Sequence, residues 1–215
     1  MKRPSWASKT LILLAVLLIP LLCACRTSQG SDHDQIVKAA IDLADAYMAA
    51  GDYQSALSVY DRALTQADDY RLLYNKAIVL SALELDYEAV VLCREGYEKY
   101  PHILSFKRAQ AVYSRRANST QDCYDAYETL LALNPYDTAT RKEYIDVLNE
   151  DGQNLIAYDQ ALILWNQGYH DRDTVTYLYN LKAPEWENVY LQITGPKPDV
   201  SETPEAEEEI ASEIE

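Results

Sequence analysis

The sequence holds no recognisable catalytic constellation. Its three histidines, His33, His102 and His170, stand about seventy residues apart, so no metal-binding pair falls at helical spacing. There is no Gly-x-Ser-x-Gly, no glycine-rich phosphate loop and no zinc-type spacing among the cysteines, which removes the usual frames for acyl transfer, nucleotide binding and structural zinc. Carboxylates are so numerous that chance pairs carry no information. The chain therefore reads as non-enzymatic, with no cofactor and with no catalytic or metal-ligating residue. Basic residues are also short: 19 Lys and Arg face 34 Asp and Glu, for a net charge of -15. A surface of that sign repels nucleic acid and anionic lipid headgroups, so binding to either would need a local basic patch. Phenylalanine occurs once against 18 tyrosines; tyrosine joins apolar area to a hydroxyl that reaches water or a partner, and packing accounts for most of them.

What is present is a repeated pair of amphipathic helices. Ala40, Leu43, Ala44 and Tyr47 fall at i, i+3, i+4 and i+7 before Gly51, and Ala56, Leu57, Tyr60, Ala63 and Leu64 repeat that rhythm after it. Two such helices joined at Gly51-Asp52 make an antiparallel hairpin, with Ala44, Ala56 and Ala63 where bulky side chains would hold the axes apart. One hairpin cannot bury both of its faces. Ala56 recurs as Ala89, 33 residues on, and Pro101 as Pro135, 34 on, the period of a solenoid of helix pairs.

With a small or aromatic residue early in helix A, small residues in both helices, an aromatic in helix B and a closing proline, the pattern resembles the tetratricopeptide repeat. The resemblance implies an all-α fold, a right-handed superhelical solenoid of antiparallel helix pairs. Repeats are expected near 37–70, 70–103, 103–136 and 137–170, with a cap at 171–194, in a helical domain of residues 34–195. Helix 1A should start near Asp34 and helix 1B near Asp52, where the helix dipole favours acid. The fourth repeat departs from the pattern: Arg141 and Lys142 stand where helix A usually has apolar residues, and Leu164-Trp165 replace a small one. Asp173 to Leu181 fits a capping helix, and Pro184 to Ile193 a last short one with Trp186, Tyr190 and Ile193 inward. Residues 196–215 are rich in Glu and Pro and read as a disordered acidic tail. Cys93 and Cys123 occupy small buried positions of successive B helices and are expected as buried thiols, although a disulfide is conceivable between them.

The N-terminus has the form of an export signal. Lys2, Arg3 and Lys9 precede an apolar run from Leu11 to Ala24, about 14 residues, where a spanning helix needs ~20. The run ends Leu22-Cys23-Ala24-Cys25, which resembles the bacterial lipobox, with an aliphatic residue three before the acceptor cysteine and a small one just before it. The resemblance implies that residues 1–24 are removed and that Cys25 becomes a lipidated N-terminus followed by a tether over 25–33. The alternative is an ordinary signal peptide cut near Ala24 or later. A diacylglyceryl group with two or more chains holds a protein stably on a membrane, at ~0.8 kcal/mol per buried methylene. Arg26 is not the aspartate that resembles an inner-membrane retention signal. The reading is thus an exported protein, lipid-anchored in a bacterial envelope, with the outer membrane and its periplasmic side favoured.

In tetratricopeptide-repeat proteins the A helices line a concave surface that binds peptides or partner segments. Helical spacing places Lys38, Ile41, Asp45 and Met48 there, then Arg71, Tyr74, Asn75 and Ile78, then Lys107, Arg108, Ala111 and Arg115, then Lys142 and Asp146. The third A helix carries Lys107, Arg108, Arg115 and Arg116 and no acid. The first 24 residues hold three basic and no acidic residues, leaving -18 on the rest. A positive strip in so negative a chain would attract and orient an acidic segment, and Arg71, Tyr74, Asn75, Lys107, Arg108 and Arg115 are the candidate partner-binding residues. The family's carboxylate clamp is half present: Asn75 and Arg108 match, but Ile41 and Asp45 stand where a lysine and an asparagine belong. The expected role is a membrane-anchored interaction scaffold, holding a protein or peptide partner within an assembly or transport complex. A surface adhesin and an accessory ligand-binding subunit of a transporter are the alternatives on the same scaffold.

Overall fold

In the computed structural model, which describes residues 32–195, the helix pairs are made by one turn used four times. Gly51 (φ 77°), Glu84 (φ 61°), Asn118 (φ 53°) and Gly152 (φ 71°) are left-handed, and they are spaced 33 or 34 residues apart. After each, the next amide reaches back to a carbonyl in the last turn of the preceding helix: Asp52 N–H to Tyr47 O at 2.9 Å, Leu85 to Leu80 at 3.0 Å, Ser119 to Ser114 at 2.8 Å, Gln153 to Leu148 at 2.7 Å. That bond satisfies a terminal carbonyl and reverses the chain, and it requires the left-handed residue. Glycine adopts that conformation freely, whereas Glu84 takes it at a cost of ~1–2 kcal/mol.

The helices are α1 (32–49), α2 (Tyr53–Leu64), α3 (Tyr70–Ala82), α4 (Asp86–Lys99), α5 (Ser105–Arg116), α6 (Thr120–Leu133), α7 (Thr138–Glu150), α8 (Asn154–Asn166), α9 (Arg172–Leu181) and α10 (Ala183–Thr194). Among the described residues there is no strand. The starts of α2, α3, α7 and α9 are set by aspartates that accept a backbone amide three or two residues on: Asp52 from Ser55, Asp69 from Arg71, Asp137 from Thr140 and Asp171 from Thr174. Each such cap contributes ~1 kcal/mol in general.

The chain divides into two compact units within α6, one ending at Thr129 and the other starting at Leu130. In the first, Ala44, Ala56 and Ala63 are buried among Val37, Val59, Tyr60 and Leu72, where their small side chains let α1 and α2 approach. A second cluster gathers Ala77, Ala89, Val90, Cys93, Phe106 and Tyr113 between α3, α4 and α5. Cys93 and Cys123 are buried thiols that are not joined in a disulfide. Gly96, buried on α4, gives Phe106 its place: a Cβ there would stand 2.4 Å from the ring.

In the second unit Tyr144, Ile145, Leu148, Ala157, Ala161, Leu164, Val175 and Leu178 are among the buried residues. Arg141, where an apolar residue was expected, is buried with its charge; its Nη2 donates to Pro135 O at 2.8 Å and its Nη1 to Gln160 Oε1. Burial pulls its pKa down. Two helices follow α8, and α10 buries no residue completely. Trp186 and Tyr190 turn inward, Tyr190 stacking on Tyr179 with 4.4 Å between ring centroids, but Ile193 stays 37% exposed. The lipidation candidate Cys25, the signal-like segment, most of the tether and the acidic tail lie outside the described residues.

Candidate functional site

The A helices of the first unit are laid side by side by side-chain links, and the candidate residues supply several of them. Arg71 on α3 donates through Nη2 to Asp34 Oδ1 of α1 and to Asp69 Oδ2, both at 2.8 Å, and through Nε to Asp69 Oδ1 at 2.9 Å. The same Asp69 caps α3, and the hydrogen bond from the Arg71 side chain is the main reason its carboxyl lies below the ordinary range. Tyr74 meets the Phe106 ring of α5 edge-on, with 5.8 Å between centroids. Arg116 donates to Ser81 Oγ at 2.9 Å, tying the end of α5 to α3. The order α1, α3, α5 is thus held by an ion pair, an aromatic contact and a charge-assisted hydrogen bond.

The candidate cations do not share one environment. Lys107 is buried, with 8% of its surface exposed. Its ammonium donates to Gln110 Oε1 at 3.0 Å and stands 5.0 Å from the centroid of the Tyr97 ring. Gln110 in turn donates to Asp122 O at 3.1 Å, joining α5 to α6. Desolvation pulls the lysine's pKa down while Asp125 and Asp122 pull it up, and burial prevails. Its geometry is that of an internal strut.

Arg108 and Arg115 are exposed, on α5 with Val112 between them, and neither is without an interaction partner. Neighbours in a helix point about 100° apart, which is why Lys107 turns inward while Arg108 faces out. Asn75 spends its Nδ2 donor on Arg71 O at 2.9 Å within its own helix, and with Ile41 and Asp45 in the flanking positions no carboxylate clamp is assembled.

Several other cations form ion pairs within the fold. Lys76 pairs with Asp61 at 2.7 Å, Arg94 with Asp122 at 3.2 Å, and Lys99 with Asp68. In the second unit Lys142 bridges Asp171 at 3.0 Å and Asp173 at 2.9 Å, which fastens α7 to the start of α9. The positive residues accordingly serve the fold first, and α5 is the place in the first unit where several arginines reach the surface without an acid on their own helix.

A second surface lies on the B helices. Leu57, Leu80, Val91 and Leu92 floor a groove of about 340 Å³ between α2, α3 and α4, edged by Asp61, Lys76, Tyr87, Glu88 and Glu95. Tyr87 is 60% exposed. The signal in the sequence was the outer stripe of α4, with Tyr87 and Val91 four apart and Glu88 and Glu95 seven apart.

Among the described residues no group of three or more His, Cys, Asp or Glu could hold a metal ion, and no helix is long and apolar enough to cross a membrane.

The tetratricopeptide repeat family matches residues 37–80, the first hairpin and most of α3. No protein of curated function matches the chain in sequence at a significant level. Among solved structures, a tetratricopeptide repeat protein from Parabacteroides merdae shares 16% identity with a TM-score of 0.58, over 72% of this chain and 64% of its own. MamA from Desulfovibrio magneticus shares 13% with a TM-score of 0.54, over 73% and 88%. YrrB, described as a TPR protein with an unusual peptide-binding site, shares 16% with a TM-score of 0.52, over 74% and 86%. At these identities the likeness is one of fold: the described residues are all helical and share the helix-pair solenoid fold of these structures.

Proposed function

We propose that the chain is a non-catalytic interaction scaffold, anchored to a bacterial envelope membrane through lipid on Cys25, whose first unit holds a partner segment across α1, α3 and α5. The outer membrane and its periplasmic side are the favoured location, and an assembly or transport complex the favoured setting. The observation that carries the partner reading is the fixed alignment of those three helices by Arg71, Tyr74 and Arg116, which offers a preformed face and so lowers the ordering cost of binding. The peptide-binding description of YrrB, on a similar fold, supports a polypeptide ligand. Exposed Arg108 and Arg115 on the acid-free α5 favour an acidic segment. Lipid anchoring would raise the concentration of both partners at one membrane.

The test is cross-linking and affinity capture of the detergent-solubilised native protein, beside Arg108→Glu/Arg115→Glu. Loss of the partner with an unchanged melt supports the reading; an unchanged partner set removes this face as the site.

A second reading is favoured by the groove between α2 and α4, whose apolar floor and Glu88 and Glu95 suit a basic amphipathic segment. Glu88→Lys/Glu95→Lys would then abolish capture where the arginine changes do not.

A further inference from the structure

In the second unit, Tyr158 and Trp165 of α8 and Glu185, Trp186 and Val189 of α10 line a cavity of about 360 Å³. That is at the small end of ligand-pocket sizes, ~300–1,000 Å³, and suits a headgroup rather than an extended ligand. We propose that this cavity binds a trimethylammonium cation of the choline type. The site is separate from the partner-binding face proposed for the first unit and does not depend on it.

Three aromatic rings set the walls. Trp165 and Trp186 stand nearly perpendicular, 75° apart with 5.0 Å between centroids. The Trp186 Nε1–H donates to the Tyr158 hydroxyl oxygen at 3.1 Å, and that hydroxyl donates to Glu185 Oε2 at 3.5 Å. Trp165 is backed by the His170 ring, 4.0 Å between centroids, and that imidazole is itself held by Nε2 at 3.0 Å from Trp165 O. The rings are therefore oriented before any ligand arrives.

The chemistry selects the ligand. Aromatic faces attract a cation through their quadrupoles, and a carboxylate at the edge adds charge. One face of the Tyr158 ring is covered by Lys182 Nζ, 4.3 Å from its centroid, and Lys182 does not line the cavity, so the ligand's share of this ring is what that ammonium leaves open. The Trp186 indole N–H is spent on the Tyr158 hydroxyl and that hydroxyl on Glu185, so these groups have little to offer an anionic ligand. A trimethylammonium group has no N–H, is weakly hydrated, and presents methyl groups that pack on rings and on Val189. With Glu185 lining the cavity and exposed Glu187 next but one along α10, an added phosphate or carboxylate on the ligand would be repelled. Choline fits, and phosphocholine does not.

The experiment is isothermal titration of the full mature chain with choline chloride, phosphocholine and 3,3-dimethylbutanol, the uncharged shape match of choline. The expected result is saturable choline binding that is ~10-fold or more tighter than either of the others, the size of a desolvated cation–π contribution. Trp186→Leu should abolish it. Because that change may loosen α10, Glu185→Gln is the second variant: it leaves the rings in place and should weaken choline several-fold at an unchanged melting temperature. Absence of saturable choline binding, or equal binding of the neutral match, overturns the site. Phosphocholine binding as tightly as choline overturns the assignment to a simple cation.

Discussion

Replacing Gly96 by alanine sets two opposed effects against each other, and the structure decides between them. In an isolated helix the change stabilises by ~1 kcal/mol, because glycine loses more backbone freedom. Here the new methyl would stand 2.4, 2.6 and 2.7 Å from three carbons of the Phe106 ring. That ring is fully buried and meets Tyr74 edge-on at 5.8 Å, so it cannot give way without moving α5 or breaking the aromatic contact. Overpacking of this kind costs ~1–3 kcal/mol, and with a buried ring as the obstacle the upper part of that range applies. The net expectation is a loss of ~1–2 kcal/mol, or a melting temperature lower by about 2–8 °C for a chain of this size, read by far-UV circular dichroism. Phe106→Leu in the Gly96→Ala background should recover part of the loss, a coupling of ~0.5–3 kcal/mol. If Gly96→Ala melts at or above the parent, or if the two costs simply add, the ring is not what demands the glycine.

Glu84→Gly should raise stability by ~0.5–1 kcal/mol, since it relieves the left-handed cost at a turn where two of the four equivalents are already glycine, less the added chain entropy; a thermal melt checks it. Asp69 is held below its unfolded value near 3.9 mainly by the side-chain hydrogen bond from Arg71, so its contribution is present above that value and lost as pH falls through the folded-state pKa. Melting temperature should drop below about pH 4, and Asp69→Asn should start lower at neutral pH with a shallower acid slope. Burial pushes the Cys93 thiol up to about 12, so mapped alkylation should leave Cys93 and the equally buried Cys123 unlabelled until denaturant is added. Lys142→Met removes the bridge to Asp171 and Asp173, exposed enough that the loss should be under ~1 kcal/mol and should largely vanish in about 0.5 M salt.

The hairpins were legible because their rules are local. Alanines at helical spacing, the glycine at Gly51 and the 33–34 residue period are sufficient to place the first hairpin, with starts expected near Asp34 and Asp52 and found at 32 and Tyr53. Glu84 shows where that reading stops: nothing about a glutamate announces a left-handed turn, and only the repeat register puts it there. Gly96 is a mirror case, a poor helix former whose reason is a ring ten residues away. At the candidate site, spacing put Lys107 and Arg108 on one helix but could not say which of two neighbours would turn inward. The pairing of Arg71 with Asp34, 37 residues apart, is likewise a product of tertiary packing. The groove on α4 and the aromatic cavity on α8 and α10 were out of reach for the same reason, since each needs side chains from separate helices to converge.

The central claim is that α1, α3 and α5 present the face that holds a polypeptide. It is tested most directly by a photo-crosslinking amino acid placed at Val112, exposed between Arg108 and Arg115 on α5, beside the same probe at Glu95 on α4, in the native cells. Adducts from position 112, lost on Arg108→Glu/Arg115→Glu, are the result expected. Adducts from position 95 alone, or from neither position, would contradict it.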